Sequence, residues 1–185
     1  MVKKAITVFI LSLFFLFPSL AKAEGKIAGE SATLNLYGQC KISQQDPYLL
    51  KNFVLSEFFK KHASPLAEKA VAFIFSCQKY RIDCYLLPSI ASVESSYGKR
   101  YIKAYNNPFG WGGGYYKFES LEQAIEVVTK KMRLNYIDKG ATNLQLIGKR
   151  YSADVNWWKK TNSVKNRLEK MERKYDLLLS YILVE

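Results

Sequence analysis

Residues 86–99 of this 185-residue chain have the sequence LLPSIASVESSYGK. The apolar positions from Leu86 to Val93 predict a buried helix, and Gly98 is typical of the residue that follows a helix end. Glu94 then lies in the last turn. The negative end of the helix dipole and apolar surroundings both disfavour a carboxylate, so we expect the pKa of Glu94 to be raised. A carboxyl group that stays protonated near neutral pH is suited to general acid catalysis.

A segment rich in glycine and aromatic residues follows. Residues 106–116 have the sequence NNPFGWGGGYY, which predicts a loop or small hairpin rather than a helix. Glycines let a backbone approach a ligand closely, and Trp and Tyr offer faces on which sugar rings can pack. The alternative is a solvated Glu94 beside an ordinary turn, and composition alone favours that alternative.

Helical patterns surround these two segments and predict a mainly α domain. Hydrophobic periodicity begins near Tyr48, and Ser64-Pro65 is typical of the start of a second helix. Residues 120–123, SLEQ, form a capping-box pattern ahead of another amphipathic helix. Two further helical patterns cover residues 142–152 and 161–183.

Three motifs in this order resemble the lysozyme-like glucosaminidase domains of bacterial wall hydrolases. These domains belong with glycoside hydrolase family 73, the mannosyl-glycoprotein endo-β-N-acetylglucosaminidase-like proteins and the flagellar muramidase-like proteins. The motifs are Glu-Ser-x-x-Gly at 94–98, Asn-Asn-x-Phe-Gly at 106–110, and IGKRYSADVNW at 147–157. The last is similar to the family's Tyr-Ala-x-Asp element, with an aromatic residue three positions after the Asp. The resemblance covers roughly residues 65–175. It implies a lysozyme-like helical domain with a small extended lobe, a β-hairpin or loop, over the cleft.

The resemblance also implies roles for individual residues. Glu94 matches the family's catalytic acid, and Tyr151 matches the aromatic residue that lies close to the reacting sugar. Residues expected to line the cleft, fix its loop or contact substrate are Asn107, Phe109, Gly110, Trp111, Tyr115 and Tyr116. Neither a cofactor nor a metal is expected.

A second catalytic carboxylate is less clearly marked. Glu119 and Asp154 are the candidates, although Glu119 also suits the first turn of a helix and Asp154 suits a turn or cap. An inverting hydrolase needs a base about 6.5–9.5 Å from its acid. Without one, either the substrate's N-acetyl group or an internal hydroxyl of muramic acid would be the nucleophile.

The first 23 residues are typical of a secretory signal peptide. Lys3 and Lys4 precede an apolar run from Ala5 to Phe17, and Ala21-Lys22-Ala23 fits the cleavage pattern. An uncleaved anchor is the alternative, but the run is short for a membrane span. We therefore expect a periplasmic or extracellular protein that meets the membrane only during export.

Domain boundaries follow from this assignment. Residues 24–64 are expected to form an N-terminal extension with one helix, and residues 65–185 to form the lysozyme-like catalytic domain.

Export also makes disulfide bonds between the cysteines possible. Cys77 and Cys84 flank a turn between two predicted helices and could be joined, which would leave Cys40 over. Three free thiols are the alternative.

The charge balance narrows the class of partner. The chain has 28 Lys plus Arg and 16 Asp plus Glu, and loss of three lysines with the signal lowers its formal charge from +12 to +9. A basic protein favours an anionic partner, and export favours the cell wall over nucleic acid. A single histidine, His62, and three cysteines argue against a zinc enzyme or a Ser-His-Asp hydrolase.

The sequence thus predicts an exported peptidoglycan hydrolase. We expect a monomer that cleaves β-1,4 bonds of glycan strands as an N-acetylglucosaminidase, with Glu94 as general acid. The alternatives are a lytic transglycosylase or muramidase that uses the same Glu, and a non-catalytic protein for wall binding or assembly.

Overall fold

The computed structural model describes residues 46–182, a range that is mainly helical and contains no β-strand. Its six α-helices are α1 (Pro47–Lys61), α2 (Ala70–Tyr80), α3 (Leu86–Glu94), α4 (Leu121–Met132), α5 (Leu144–Tyr151) and α6 (Trp157–Ile182). Two 3₁₀ helices cover Pro65–Lys69 and Lys103–Tyr105, and a π-helical turn, Arg133–Ile137, continues α4. The signal segment, residues 24–45 of the predicted extension, and Cys40 lie outside the described residues.

Helix α3 runs through the core. All its residues from Leu86 to Ser92 are buried, so protein surrounds the helix on every side. The buried hydroxyls of Ser89 and Ser92 donate to the carbonyls of Tyr85 and Pro88, each at 2.7 Å, so they add no unsatisfied polar group to the core. Glu94 follows at the end of the helix, where α3 reaches the surface.

Helix α1 is part of the same core. Its residues Val54, Leu55, Phe58 and Phe59 are at most 2% exposed, and the Phe59 ring stacks on Phe73 of α2 at 5.8 Å. Ser64 caps the following 3₁₀ helix, and its hydroxyl donates to the carbonyl of Tyr97. Both α1 and Ser64 therefore contact residues that follow position 64, the position of the predicted boundary.

Residues 99–120 form an irregular loop. This segment contains one 3₁₀ turn and no strand. Side-chain hydrogen bonds take the place of a β-ladder. Nδ2 of Asn106 donates to the carbonyls of Phe118 and Glu119 at 3.1 and 3.2 Å, which ties the two ends of the loop together.

A disulfide joins Cys77 near the end of α2 to Cys84, two residues before α3. Both cysteines are buried, so the bridge lies beside the core rather than on the surface. Within residues 46–182, none of the helices has both the length and the apolar character that a membrane span requires.

Candidate active site

Glu94 faces a cleft of about 250 Å³ whose other walls come from the turn after α3 and from the glycine-rich loop. Glu94 as a whole residue is exposed, because the cleft is open to solvent. The inner side of its carboxyl group nevertheless contacts protein. Oε1 accepts a 2.6 Å hydrogen bond from Nε1 of Trp157. Partial burial raises the pKa of Glu94, and the Trp157 hydrogen bond lowers it by a smaller amount. The net effect favours the protonated acid.

The backbone of Gly110 lies directly against this carboxyl. A Cβ atom at position 110 would lie 2.9 Å from Oε2 of Glu94, and the residue has φ +63°. Space and backbone conformation therefore both favour glycine here. The last residue of the Asn-Asn-x-Phe-Gly motif is thus in contact with the candidate acid.

Asn107 and Phe109 hold the loop in place around Gly110. Nδ2 of the buried Asn107 donates to the carbonyls of Trp111 and Tyr116 at 2.8 and 3.1 Å, and its Oδ1 accepts from the Trp111 N–H at 3.0 Å. Phe109 is completely buried. The loop is therefore held both by the hydrogen bonds of a buried amide and by the packing of a buried ring.

Tyr151, at the end of α5, connects the loop to Trp157. Its hydroxyl donates to the carbonyl of Phe109 at 2.6 Å, and its ring stacks on Trp157 with centroids 5.0 Å apart. Burial raises the pKa of Tyr151 well above its ordinary value, and the nearby Glu94 carboxylate raises it further. The phenol therefore stays protonated and acts as a hydrogen-bond donor.

The other predicted aromatic residues lie in three different settings. Trp111 packs with Tyr136 and Tyr151 at centroid distances of 6.2 and 6.0 Å. Tyr115 is 76% exposed and lines the Glu94 cleft. Tyr116 does not line it, and its ring packs on Phe118 at 4.7 Å.

Neither candidate for a second carboxylate reaches the cleft. Glu119 is exposed at the start of α4, where its backbone N–H donates to the side chain of Gln123 at 2.7 Å. Oδ2 of Asp154 pairs with Lys160 at 2.7 Å, and this contact holds the pKa of Asp154 below its ordinary value. Among the described residues, Glu94 is the only carboxylate that lines this cleft.

The turn after Glu94 adds a cation that the sequence did not single out. Ser96, Tyr97 and Gly98 have φ values of 50°, 63° and 74°, a run of left-handed conformations that turns the chain sharply. Ser95 holds this turn, because its carbonyl accepts from the Arg100 N–H at 2.8 Å. Arg100 consequently lines the cleft together with Glu94.

Trp157 is the second residue that sequence reasoning missed as part of the site. Its signal is present, since it is the aromatic residue three positions after Asp154 in the third motif. The hydrogen bond to Glu94, however, depends on how α6 packs against α3 and could not be read from spacing. For metals, no group of three or more His, Cys, Asp or Glu side chains within residues 46–182 is placed to hold an ion.

The chain matches no protein-family model and none of the curated proteins. The resemblance to the glucosaminidase domains therefore rests on the three motifs and their order. The structure adds that one residue from each motif, namely Glu94, Gly110 and Tyr151, belongs to a single connected group of contacts.

Proposed function

We propose that this protein is an exported peptidoglycan hydrolase, an endo-N-acetylglucosaminidase whose general acid is Glu94. The observation that carries the proposal is the setting of the Glu94 carboxyl, which ends a buried helix, accepts from Trp157 and borders an open cleft. A mainly helical body with a loop over that cleft is consistent with a lysozyme-like architecture, which is part of the proposal.

Within residues 46–182, Glu94 is the one carboxylate that lines the cleft, and this supports a route in which the substrate supplies the nucleophile. Glu94 donates its proton to the glycosidic oxygen, and the C1–O bond breaks with its electron pair going to the departing sugar. The acetamido oxygen of the same sugar attacks C1 and forms a cyclic oxazolinium. Water then attacks C1 and breaks the C1–O bond of the oxazolinium, which restores the acetamido group. The attacking water gives a proton to the Glu94 carboxylate, which restores the acid and releases a reducing N-acetylated sugar.

Lytic transglycosylation is the second candidate, and the same observation favours it. If the cleaved sugar is muramic acid, its own hydroxyl can attack C1 after Glu94 protonates the leaving oxygen. The hydroxyl proton then returns to Glu94, and the product is an anhydro sugar without a reducing end. This route also needs no second carboxylate.

Charge supports a wall polymer as the substrate. The expected mature chain carries a formal charge of +9, and Arg100 adds a cation inside the cleft. Peptidoglycan carries free carboxylates on its stem peptides, so a cleft cation has a partner there. Long-range attraction to the wall would weaken as salt is added.

Mass spectrometry of the products released from purified sacculi tests the proposal. Reducing N-acetylglucosamine ends are expected. Anhydromuramic ends would instead assign the transglycosylase route, and reducing muramic acid ends would assign a muramidase. If no glycan fragment is released under any condition that keeps the protein folded, the hydrolase proposal is wrong and the non-catalytic alternative gains support.

A further inference from the structure

A larger cavity, of about 710 Å³, does not contain Glu94. We call it the Trp158 cavity. It is bounded by residues 81–86 at the other end of α3, the π-helical turn, the segment 141–147 and the first turns of α6. Because α3 is nine residues long, its two ends lie roughly 13 Å apart, so this cavity and the Glu94 cleft are separate sites.

The charged side chains of the Trp158 cavity are mostly cationic. Arg81, Arg133 and Lys165 line it together with one acid, Asp83. Lys165 is held by Asp83 and Glu169. Arg81 is exposed and forms no ion pair with any carboxylate in the described part of the chain.

Arg133 offers a second guanidinium to the same space. Its Nε pairs with Asp138 at 2.8 Å, and one terminal nitrogen donates to the carbonyl of Arg81 at 3.2 Å. The other terminal nitrogen donates no hydrogen bond within residues 46–182. Two guanidinium groups joined through the Arg81 backbone are suited to recognise a carboxylate.

The remaining lining combines amides with an aliphatic floor. Gln145 and Asn162 present side-chain amides, and Asn143 uses its Oδ1 to cap α5, which leaves its NH₂ group as a donor. Apolar side chains and one indole complete the walls: Ile82, Leu86, Ile137, Leu144, Ile147 and Trp158. Amide donors and acceptors match a peptide backbone, and the aliphatic floor matches small alkyl side chains.

From this lining we infer that the Trp158 cavity binds a short peptide that ends in a free carboxylate. The carboxylate lies at Arg81 and Arg133, the backbone meets the amides, and the side chains rest on the floor. The inference goes beyond the proposed function and does not depend on Glu94. Two sources share this chemistry, namely a wall stem peptide with D-Ala residues and the C-terminus of another protein with L-residues.

NMR titration of the mature chain tests the inference. The chain has three Trp residues, so its indole N–H signals report separately on Trp111, Trp157 and Trp158, and Trp158→Phe assigns the last. The probes are N-acetyl-Lys-D-Ala-D-Ala, its L-Ala-L-Ala counterpart, and the C-terminal amide of each. We expect a saturable shift of the Trp158 signal with at least one free acid. Arg81→Gln should weaken this binding about five-fold or more, while Arg173→Gln, on an exposed part of α6, should not.

Each outcome decides the question. Preference for the D-peptide assigns a wall stem peptide, and equal or stronger binding of the L-peptide assigns a protein C-terminus; both support the inference. Equal binding of acid and amide overturns it. So does a response confined to Trp111 and Trp157, or no Trp158 shift at millimolar peptide. If the folded protein releases no fragments from sacculi, the proposed function is refuted. Peptide binding in the Trp158 cavity would remain unaffected by that outcome.

Discussion

The indole Nε1–H of Trp157 donates a 2.6 Å hydrogen bond to Oε1 of Glu94. The first residue of α6 therefore holds the last residue of α3, across 63 positions of sequence. A hydrogen bond donated to a carboxyl stabilises its ionised form, so this contact opposes the effect of burial on the Glu94 pKa. Trp157 thus orients the acid and limits how far its pKa rises.

Trp157→Phe should shift the pH dependence of cleavage upward. Without the indole N–H, the ionised form of Glu94 loses a stabilising contact and its pKa increases. A general acid is active when protonated, so kcat/KM should persist to higher pH before it falls. The pH–rate profile of kcat/KM measures this effect. Trp158→Phe is the matched control, because Trp158 lines the other cavity. An unmoved or downward-shifted alkaline limb in Trp157→Phe would show that the hydrogen bond does not tune the acid.

Gly110→Ala should abolish most activity through its contact with Glu94. The new Cβ would lie 2.9 Å from Oε2, so either the loop or the carboxyl must move. Gly140→Ala is a matched control, because Gly140 also has positive φ but would meet nothing within 4 Å. Both variants should lose about 1 kcal/mol of unfolding free energy from backbone strain, measured by urea denaturation. Only Gly110→Ala should lower kcat by more than about ten-fold. Equal activity losses would assign the effect to strain alone.

Arg100→Gln should weaken substrate binding without slowing the chemical step. Arg100 lines the cleft, and within residues 46–182 it forms neither a hydrogen bond nor an ion pair with the Glu94 carboxyl. Its guanidinium is therefore placed to bind anionic groups of the bound strand. We expect KM for soluble peptidoglycan fragments to rise about five-fold, with kcat unchanged. Arg173→Gln provides the control for loss of one positive charge. An unchanged KM in Arg100→Gln would remove Arg100 from the binding site.

Removal of the Cys77–Cys84 disulfide should destabilise the protein moderately. The bridge spans a sequence separation of 7. Closing a loop this short lowers the conformational entropy of the unfolded state, which raises the free energy of unfolding by about 2.5 kcal/mol. Cys77→Ser with Cys84→Ser should therefore unfold at a lower urea concentration than the parent. Adding reductant should destabilise the parent and leave the double variant unaffected. A parent that does not respond to reductant would show that the thiols are not joined.

Much of the fold was accessible from sequence because its signals are local. Helix α3 shows as a continuous apolar stretch, although it ends at Glu94 and not at Gly98, the residue that the pattern marks as the end. Ser120 caps α4 through the N–H of Gln123, the contact that the capping-box pattern predicts. The hydrophobic face of α1 is likewise visible in the sequence, but the partner on which it packs is not.

The contacts of the site were less accessible because they depend on how distant helices pack. Gly148 shows this dependence. A Cβ there would lie 3.1 Å from Cε3 of Trp157 and 3.3 Å from Cβ of Trp158, so its absence lets α5 lie close to the start of α6. That close packing places one indole beside Glu94 and the next in the Trp158 cavity. The motif spacing marks Trp157 as the aromatic residue three positions after Asp154, but it does not predict which indole contacts Glu94.

The rate at which Glu94→Gln releases fragments from purified sacculi tests the central claim most directly. Gln has nearly the same shape as Glu and can still accept from Trp157, but it has no acidic proton to donate. If Glu94 is the general acid, the variant should remain folded, with an unchanged urea midpoint, and release fragments about 10²–10⁴-fold more slowly than the parent. A folded Glu94→Gln variant that clears sacculi as fast as the parent would contradict the account.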